Sequence, residues 1–441
     1  MTKNIFRSLL NRYIVITPIL LVLIVAQMEE YSQLTTSGTF GAAIRLAIPI
    51  MLAGLGGLFS EKTGVVNIGL EGMMIMGTWF GAWGGFTFGA WQGVFIGMLG
   101  GALFGLIHAI ATVSFQVDHI VSGVAINILA AGVARFLNVI AFEDVAFASS
   151  TASPRITGDI GRLTVPYLAG GEINGQETTN LFGFIENLNV FLISDFAGLV
   201  LGFLSNISYL TIFALAIVPL SVLILWKTPI GLQMRSVGEY PTGSESLGVN
   251  VYLMKYIGVS ISGALSGLAG AYLVIAGTGI YLEGQTGGRG FIGLASMLFG
   301  NYKPFGILMG SGLFGFADAL QLRSPKAVHG LLIIIAIFLF VLAIKTLFEK
   351  KYIPSLISLL LSLGFLIWFL NSESIPNQFV YFTPHITTLI VLSFANQRIK
   401  LPEKIGVPYK KGELNYLFPK NFISCIAHSV TGFCPFNSSP G

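Results

Sequence analysis

Residues 90–115 read AWQGVFIGMLGGALFGLIHAIATVSF, a run without Asp, Glu, Lys or Arg in which Gly93, Gly97, Gly101 and Gly105 return at every fourth position. Such a run exceeds the roughly 20 residues that carry an α-helix across about 30 Å of hydrocarbon. On a helix the four glycines share one side and leave a smooth stripe where a neighbouring backbone can come close. Gly263 and Gly267, followed by Ala271, repeat the pattern in a second apolar run. Stripes of this kind serve static packing or, less commonly, sliding between helices.

The rest of the chain agrees with lipid as the solvent. Of its 441 residues 54% are hydrophobic and 10% charged, against about 25% charged in a soluble domain. Apolar runs predict spans near residues 13–28, 41–60, 65–87, 90–115, 120–142, 207–226, 253–276, 289–301, 303–322, 328–346, 352–370 and 381–396. The expected fold is therefore an all-α, polytopic membrane bundle of about 10–12 transmembrane helices.

Lys3, Arg7 and Arg12 precede the first run as in a secretory signal, but no small-residue cleavage pattern follows before Glu29 and Glu30, so a retained first span is expected. Basic residues cluster at 227–255, 345–351 and 398–411, which by the positive-inside rule places those segments, the tail and both termini in the cytoplasm. Glu29, Glu30, Glu283 and Glu373 fall in external turns, and the acidic stretch 143–205 reads as an external loop. Arg323 and Lys326 contradict the scheme if every segment from 289 to 346 crosses, so 289–301 is either a crossing or re-entrant. The organisation expected is a first span and turn over 1–40, a core over 41–325 with a cytoplasmic loop at 227–252, further spans over 326–396, and a cytoplasmic tail over 397–441.

Several function classes are excluded or disfavoured. The net charge of +4 comes from basic residues at the ends of apolar runs, which reads as membrane orientation rather than nucleic-acid binding. Cys425 and Cys434 have only His428 near them, which is neither a disulfide framework nor a metal site. The chain lacks a Gly-Lys dipeptide, hence a phosphate-binding loop, and no hydrolase or metalloprotease motif occurs, so no catalytic residue is assigned. An ion-coupled secondary transporter shares the span count, yet no internal repeat of VNIGLEG or VGEYPTG appears in the other half. A channel filter or charge ring is also missing.

Polar residues inside apolar runs carry what chemistry there is. In GLFSEKTGVVNIGLEGMMIMG (57–77), Asn67 and Glu71 stand four apart and would share a helix face in apolar surroundings. The pair could hydrogen-bond a polar solute, or Glu71 could tie two helices together or cap a broken one. Asn127, and Asp318 with Gln321 one turn on, are further intramembrane polar groups. Together they suggest a pathway for an uncharged polar solute. Between two spans lies KTPIGLQMRSVGEYPTGSESLGVN (227–250), longer than a connector requires, with Thr242 or Ser244 placed to cap a short helix that a soluble partner could grip.

These two stretches resemble the permease family of bacterial ABC importers that handles ribose-like sugars, branched-chain amino acids and nucleosides, and VVNIGLEGMMIMG looks most like the nucleoside branch, whose receptors are basic membrane proteins. The likeness continues through GLQMRSVGEYPTGSESLGVNVYLMKYIGVSISGALSGLAGAYL and GGRGFIGLASMLFGNYKPFGILMGSGLFGFADALQLR, and returns at LPEKIGVPYKKGE. It implies an ABC permease fold in the bacterial plasma membrane, and that Gly231, Arg235, Gly238, Glu239, Pro241 and Gly248 belong to a coupling segment docking into an ATPase subunit. ATP and Mg would be held by that separate chain, with no cofactor in this one. A second permease subunit, as homo- or heterodimer, and an extracytoplasmic solute-binding lipoprotein would complete the transporter. The chain departs from the family pattern at Gly243 and Ser244, where small alanines are usual, in the spans between 328 and 376, and after 414.

Overall fold

A helix spans lipid because each backbone N–H and C=O within it is bonded inside the helix itself, and in the computed structural model the apolar runs do this. The structure describes residues 34–372 apart from 144, 146, 147, 174, 189 and 324, together with 375 and 401–411. The expected spans at 13–28 and 381–396, the turn residues Glu29, Glu30 and Glu373, and Cys425, His428 and Cys434 lie outside the described residues.

Helix α1 (Ser37–Lys62) is followed by α2 (Leu70–Phe88), α3 (Ala90–Ala109, prolonged by a π-helical turn over Ile110–Ser114) and α4 (His119–Phe142). The long polar stretch is not bare loop. It carries α5 (Leu181–Glu186), α6 (Ile193–Leu204) and two antiparallel ladders, Arg162–Leu163 with Ile207–Ser208 and Glu172–Ile173 with Gln176–Glu177. Then come α7 (Tyr209–Val222), the short pair α8 (Pro229–Glu239) and α9 (Pro241–Ser246), α10 (Val251–Tyr272, prolonged over Leu273–Thr278), α11 (Arg289–Phe299), α12 (Pro304–Arg323), α13 (Pro325–Phe348) and α14 (Tyr352–Asn371). Among the described residues eight helices are long and apolar enough to cross a membrane: α1, α3, α4, α7, α10, α12, α13 and α14.

Helix α2, expected as a span over 65–87, is not one of the eight. Glu71 and its many glycines dilute it, and most of it from Leu70 to Gly85 is buried among other helices. Protein rather than lipid surrounds it, so it needs no apolar exterior. The core is built by α1, α2 and α10, flanked by α3, α4, α11 and α12.

Close approach explains the stripes. A Cβ on Gly97 would lie 2.8 Å from the Gly77 carbonyl of α2 and 2.7 Å from the Ala271 Cβ of α10, and one on Gly93 2.6 Å from the Gly85 amide. Gly101 and Gly105 meet Gly263 and Gly267, where a Cβ on Gly105 would stand 2.9 Å from the Gly263 Cα. One face of α3 thus serves two partners, α2 at one end and α10 at the other.

The segment expected over 289–301 is helical only from Arg289 to Phe299, 11 residues, or about 16 Å. The preceding chain starts among the long-loop residues, where Glu283 N donates to the Thr151 carbonyl, and descends to Gly288, whose N–H reaches Glu71. Gly284, Gly287 and Gly288 take left-handed φ values of +77°, +56° and +76° along this descent, which L side chains adopt only with strain. The crossing is half loop and half helix, buried in protein as non-helical backbone at that depth must be. Helix α12 then leads back to the long-loop end, so Arg323 remains at the end that the charge rule disfavours.

Helices α13 and α14 form a hairpin at the periphery, clipped by Ser355 Oγ to the Ala343 carbonyl (2.8 Å) and Ser362 Oγ to the Ala336 carbonyl (2.7 Å). At the opposite end from the long loop, the turns at 63–69 and 115–118, the α8–α9 pair and residues 401–411 gather together.

Candidate functional site

Between α1 and α2 the chain leaves helical geometry over residues 63–69. Gly64, at a left-handed φ of +83°, closes the end of α1, and Asn67 then holds the chain out of the helix: its Oδ1 accepts from the Gly69 amide at 3.0 Å, an Asx turn that offers the backbone an alternative. The expected shared face of Asn67 and Glu71 is therefore corrected, since Asn67 precedes the first helical residue. It is completely buried, and its Nδ2 donates to Ser262 Oγ of α10 at 2.8 Å.

The residue before Asn67 is held from both sides. Val66 N donates to His119 Nδ1 at 3.2 Å, and its carbonyl accepts from His108 Nε2 at 3.2 Å. Because a carbonyl only accepts, His108 carries its proton on Nε2, and its Nδ1 accepts from the Ser122 hydroxyl at 2.9 Å. Asn127 of α4 completes the cradle, accepting from Gly72 N at 2.7 Å and donating to the Ile68 carbonyl at 3.1 Å. A break inside the bundle frees backbone groups, and these side chains satisfy them.

Glu71 faces the second break. Its Oε1 accepts from Gly288 N at 3.0 Å and its Oε2 from Gly290 N at 2.7 Å, so a carboxylate of α2 caps the N-terminus of α11. The positive end of the helix dipole and two amide donors lie against the negative charge. Close by, Arg289 Nη2 meets Asp318 Oδ2 of α12 at 3.1 Å, with side chains 19% and 8% exposed. Gln321, half-buried, is one turn further along α12. The structure thus brings Glu71 and Asp318 to the start of α11, and Asn67 and Asn127 to the start of α2. Sequence reasoning missed Arg289, although a lone basic residue in an apolar segment beside a carboxylate in the next one was a signal for the pair.

A second missed pair lies nearer the α8–α9 end. Tyr302, in the α11–α12 connection, donates to Glu61 Oε2 of α1 at 2.5 Å, and Lys62 lies over the Tyr302 ring at 5.2 Å. Burial, reinforced by the Glu61 carboxylate, pushes the Tyr302 phenol up, so it stays a donor. Tyr302→Phe is expected to cost about 1.5–3 kcal/mol, the usual worth of a hydrogen bond to a charged group. Thermal unfolding in detergent checks this, and an unchanged midpoint would contradict it.

The α8–α9 pair is built by local capping. Thr228 Oγ1 accepts from Gly231 N at 3.1 Å, so Thr228 caps α8. Pro241 opens α9 without needing an N–H partner. Neither Thr242 nor Ser244 caps it, and Ser244 Oγ instead donates to the Tyr240 carbonyl at 3.0 Å. Of the residues singled out by resemblance, Gly231, Gly238 and Pro241 are buried. Gly238 packs against the Lys62 carbonyl, and Arg235 lies over Trp226 at 5.9 Å. Glu239 and Gly248 are exposed, and so are Leu232 (60%), Tyr240 (47%) and Leu247 (86%). The Tyr240 ring lies where a Gly243 side chain would stand, which accounts for glycine there.

Residues 39–342, from α1 into α13, match the family described as branched-chain amino acid transport system / permease component. The chain belongs to this family. A guanosine ABC transporter permease protein, NupQ of Bacillus subtilis (strain 168), is 33% identical over 84% of this chain and 96% of its own length. A nucleoside ABC transporter permease protein, NupC of Lactococcus lactis subsp. cremoris, is 32% identical over 83% and 94%. A putative glucose ABC transporter permease protein of Haloferax volcanii is 32% identical over 66% and 78%. No solved structure matches the chain. As an ABC transporter permease the chain is a multi-pass plasma-membrane subunit and not itself an enzyme, with the ATPase on a separate chain.

Proposed function

We propose that this permease moves a nucleoside into the cell. The observation that carries the reading is likeness along nearly the whole length of a guanosine permease, 96% of it, and the two breaks, their caps and the α8–α9 pair lie within residues 39–342 that match the permease family. In this reading an extracytoplasmic binding lipoprotein delivers the solute at the long-loop end, and a second permease completes the passage within the lipid. ATP and Mg are bound by the ATPase pair, which grips α8–α9 from the cytoplasm, where both termini lie. Gly231, Gly238 and Pro241 set the pose of that pair, while Arg235, Glu239 and Gly248 shape its edge. The buried polar groups around α2 and α11, namely Asn67, Glu71, Asn127, Asp318 and Gln321, border the route. They act by holding the two broken helices in register rather than as free ligands.

A sugar is the second reading, favoured by the putative glucose permease among the relatives. Binding of nucleosides and of pentoses to the partner receptor protein separates the two, and a receptor that takes only pentoses would overturn the nucleoside. The coupling assignment has its own test. Glu239 is exposed and accepts from Glu403 N at 3.1 Å. Glu239→Arg is expected to lower solute-stimulated ATP hydrolysis by about tenfold or more, through misplaced like and unlike charges at a docking surface, with insertion unchanged. Wild-type hydrolysis rates in that variant would remove Glu239 from the interface.

A further inference from the structure

Residues 401–411 have no helix or strand of their own, yet they hold a defined path across the α8–α9 end. Ordering irregular chain costs roughly 1–2 kcal/mol per residue, so something must offset it. The bonds run to α8, α9, the 63–69 turn and the α3–α4 turn. Glu403 N donates to Glu239 Oε2 at 3.1 Å, and Lys404 N to the Gly238 carbonyl at 3.1 Å. Gly406 N donates to the Gly64 carbonyl at 3.0 Å. Tyr409 is 7% exposed, donates its phenol to Glu245 Oε2 of α9, and packs its ring 5.5 Å from that of Tyr252. Its carbonyl accepts from Gln116 Nε2 at 3.4 Å, in the α3–α4 turn.

We propose that residues 401–411 are a yoke, with Tyr409 a positioning residue, that carries movement of α8–α9 to the 63–69 turn; this rests on the importer reading above. The turn at Gly64 is the right receiver. Two residues on, the Val66 backbone is clamped by His108 and His119, then Asn67 is tied to α10, and Glu71 caps α11. A shift at Gly64 is thereby delivered along a short stretch of backbone to the helix N-terminus at mid-bundle. Beside the yoke, α8 also meets this turn where Gly238 packs on Lys62 and Gly64.

The test uses the permease with its own ATPase in proteoliposomes and reads solute imported per ATP hydrolysed. Tyr409→Ala removes the phenol and the ring, and Tyr409→Phe removes only the hydrogen bond to Glu245. The yield per ATP is expected to fall about tenfold in the first and about threefold in the second, while the ATPase co-purifies as in wild type. An unchanged yield in both would overturn the yoke. So would loss of the ATPase from the purified complex, which would make the segment a docking element instead. Because wild-type transport is read in the same vesicles, failure of the importer reading appears there, and failure of the yoke appears only in the variants.

Discussion

Gly267→Leu is expected to prevent α3 and α10 from closing on each other, so that the chain is inserted but does not reach its packed form. A Cβ at Gly267 would stand 2.5 Å from the Gly97 carbonyl and 2.8 Å from the Gly101 Cα. Overpacking in a core usually costs about 1–3 kcal/mol because side chains move aside. Here the obstructing atoms are backbone of a helix whose other flank is already in contact with α2, so the cost exceeds that range and the helix pair must separate. Separation would also loosen Asn67, whose partner Ser262 lies on α10. Gly132→Leu and Gly312→Leu are the controls, since no atom lies within 4 Å of a Cβ at either position. Monodispersity and thermal unfolding in detergent decide it: a Gly267→Leu protein as stable as the controls would show that the stripe is not a packing surface.

That contrast shows what one sequence can disclose. Spacing alone placed Gly93, Gly97, Gly101 and Gly105 on one helix face, because a four-residue repeat has only one geometric meaning on an α-helix. The partners were not legible, because which backbone enters a groove is settled by tertiary packing, and α3 turned out to share its stripe between α2 and α10. Span boundaries were readable for the same reason, hydropathy being a local property that lipid enforces. The two breaks were harder. VNIGLEG reads as continuous helix by apolar content, but the left-handed Gly64 ahead of it and the Asx turn at Asn67, a local bond competing with the ladder, keep its first half out of the helix. Likewise the halving of α11 depends on a carboxylate 219 positions away in sequence, which no window along the chain could reveal. Glu71 as the cap of a broken helix was one of the readings left open by its burial cost, and its helix-sharing with Asn67 was not sustained. At the α8–α9 pair the resemblance singled out Gly231, Gly238 and Pro241, which are buried and shape the pair from inside. The exposed apolar residues Tyr240 and Leu247 carried no periodic signal.

Glu71→Gln is expected to be damaging although it keeps the shape of the side chain, with Glu71→Ala worse, and this loss of stability in the amide separates capping from solute binding. Each carboxylate oxygen accepts one N–H, Oε1 from Gly288 and Oε2 from Gly290. An amide keeps the shape but offers one acceptor, so its NH2 group must face a backbone donor. One orphaned buried N–H costs about 1–3 kcal/mol, and loss of the charge at the helix N-terminus adds about 0.3–2 kcal/mol. Alanine leaves both donors bare and loses the charge as well, for a total of about 2–8 kcal/mol on the same scale. Both variants should therefore unfold at clearly lower temperature than wild type, and the deficit should persist with nucleoside present, since the bonds lost are internal to the protein. Transport should fall in both through maximal rate, as α11 loses its register against α2. A Glu71→Gln chain with wild-type thermal stability and an altered solute KM would reverse the assignment. The carboxylate would then meet the solute directly, and the amides of Gly288 and Gly290 would need another partner in the working protein.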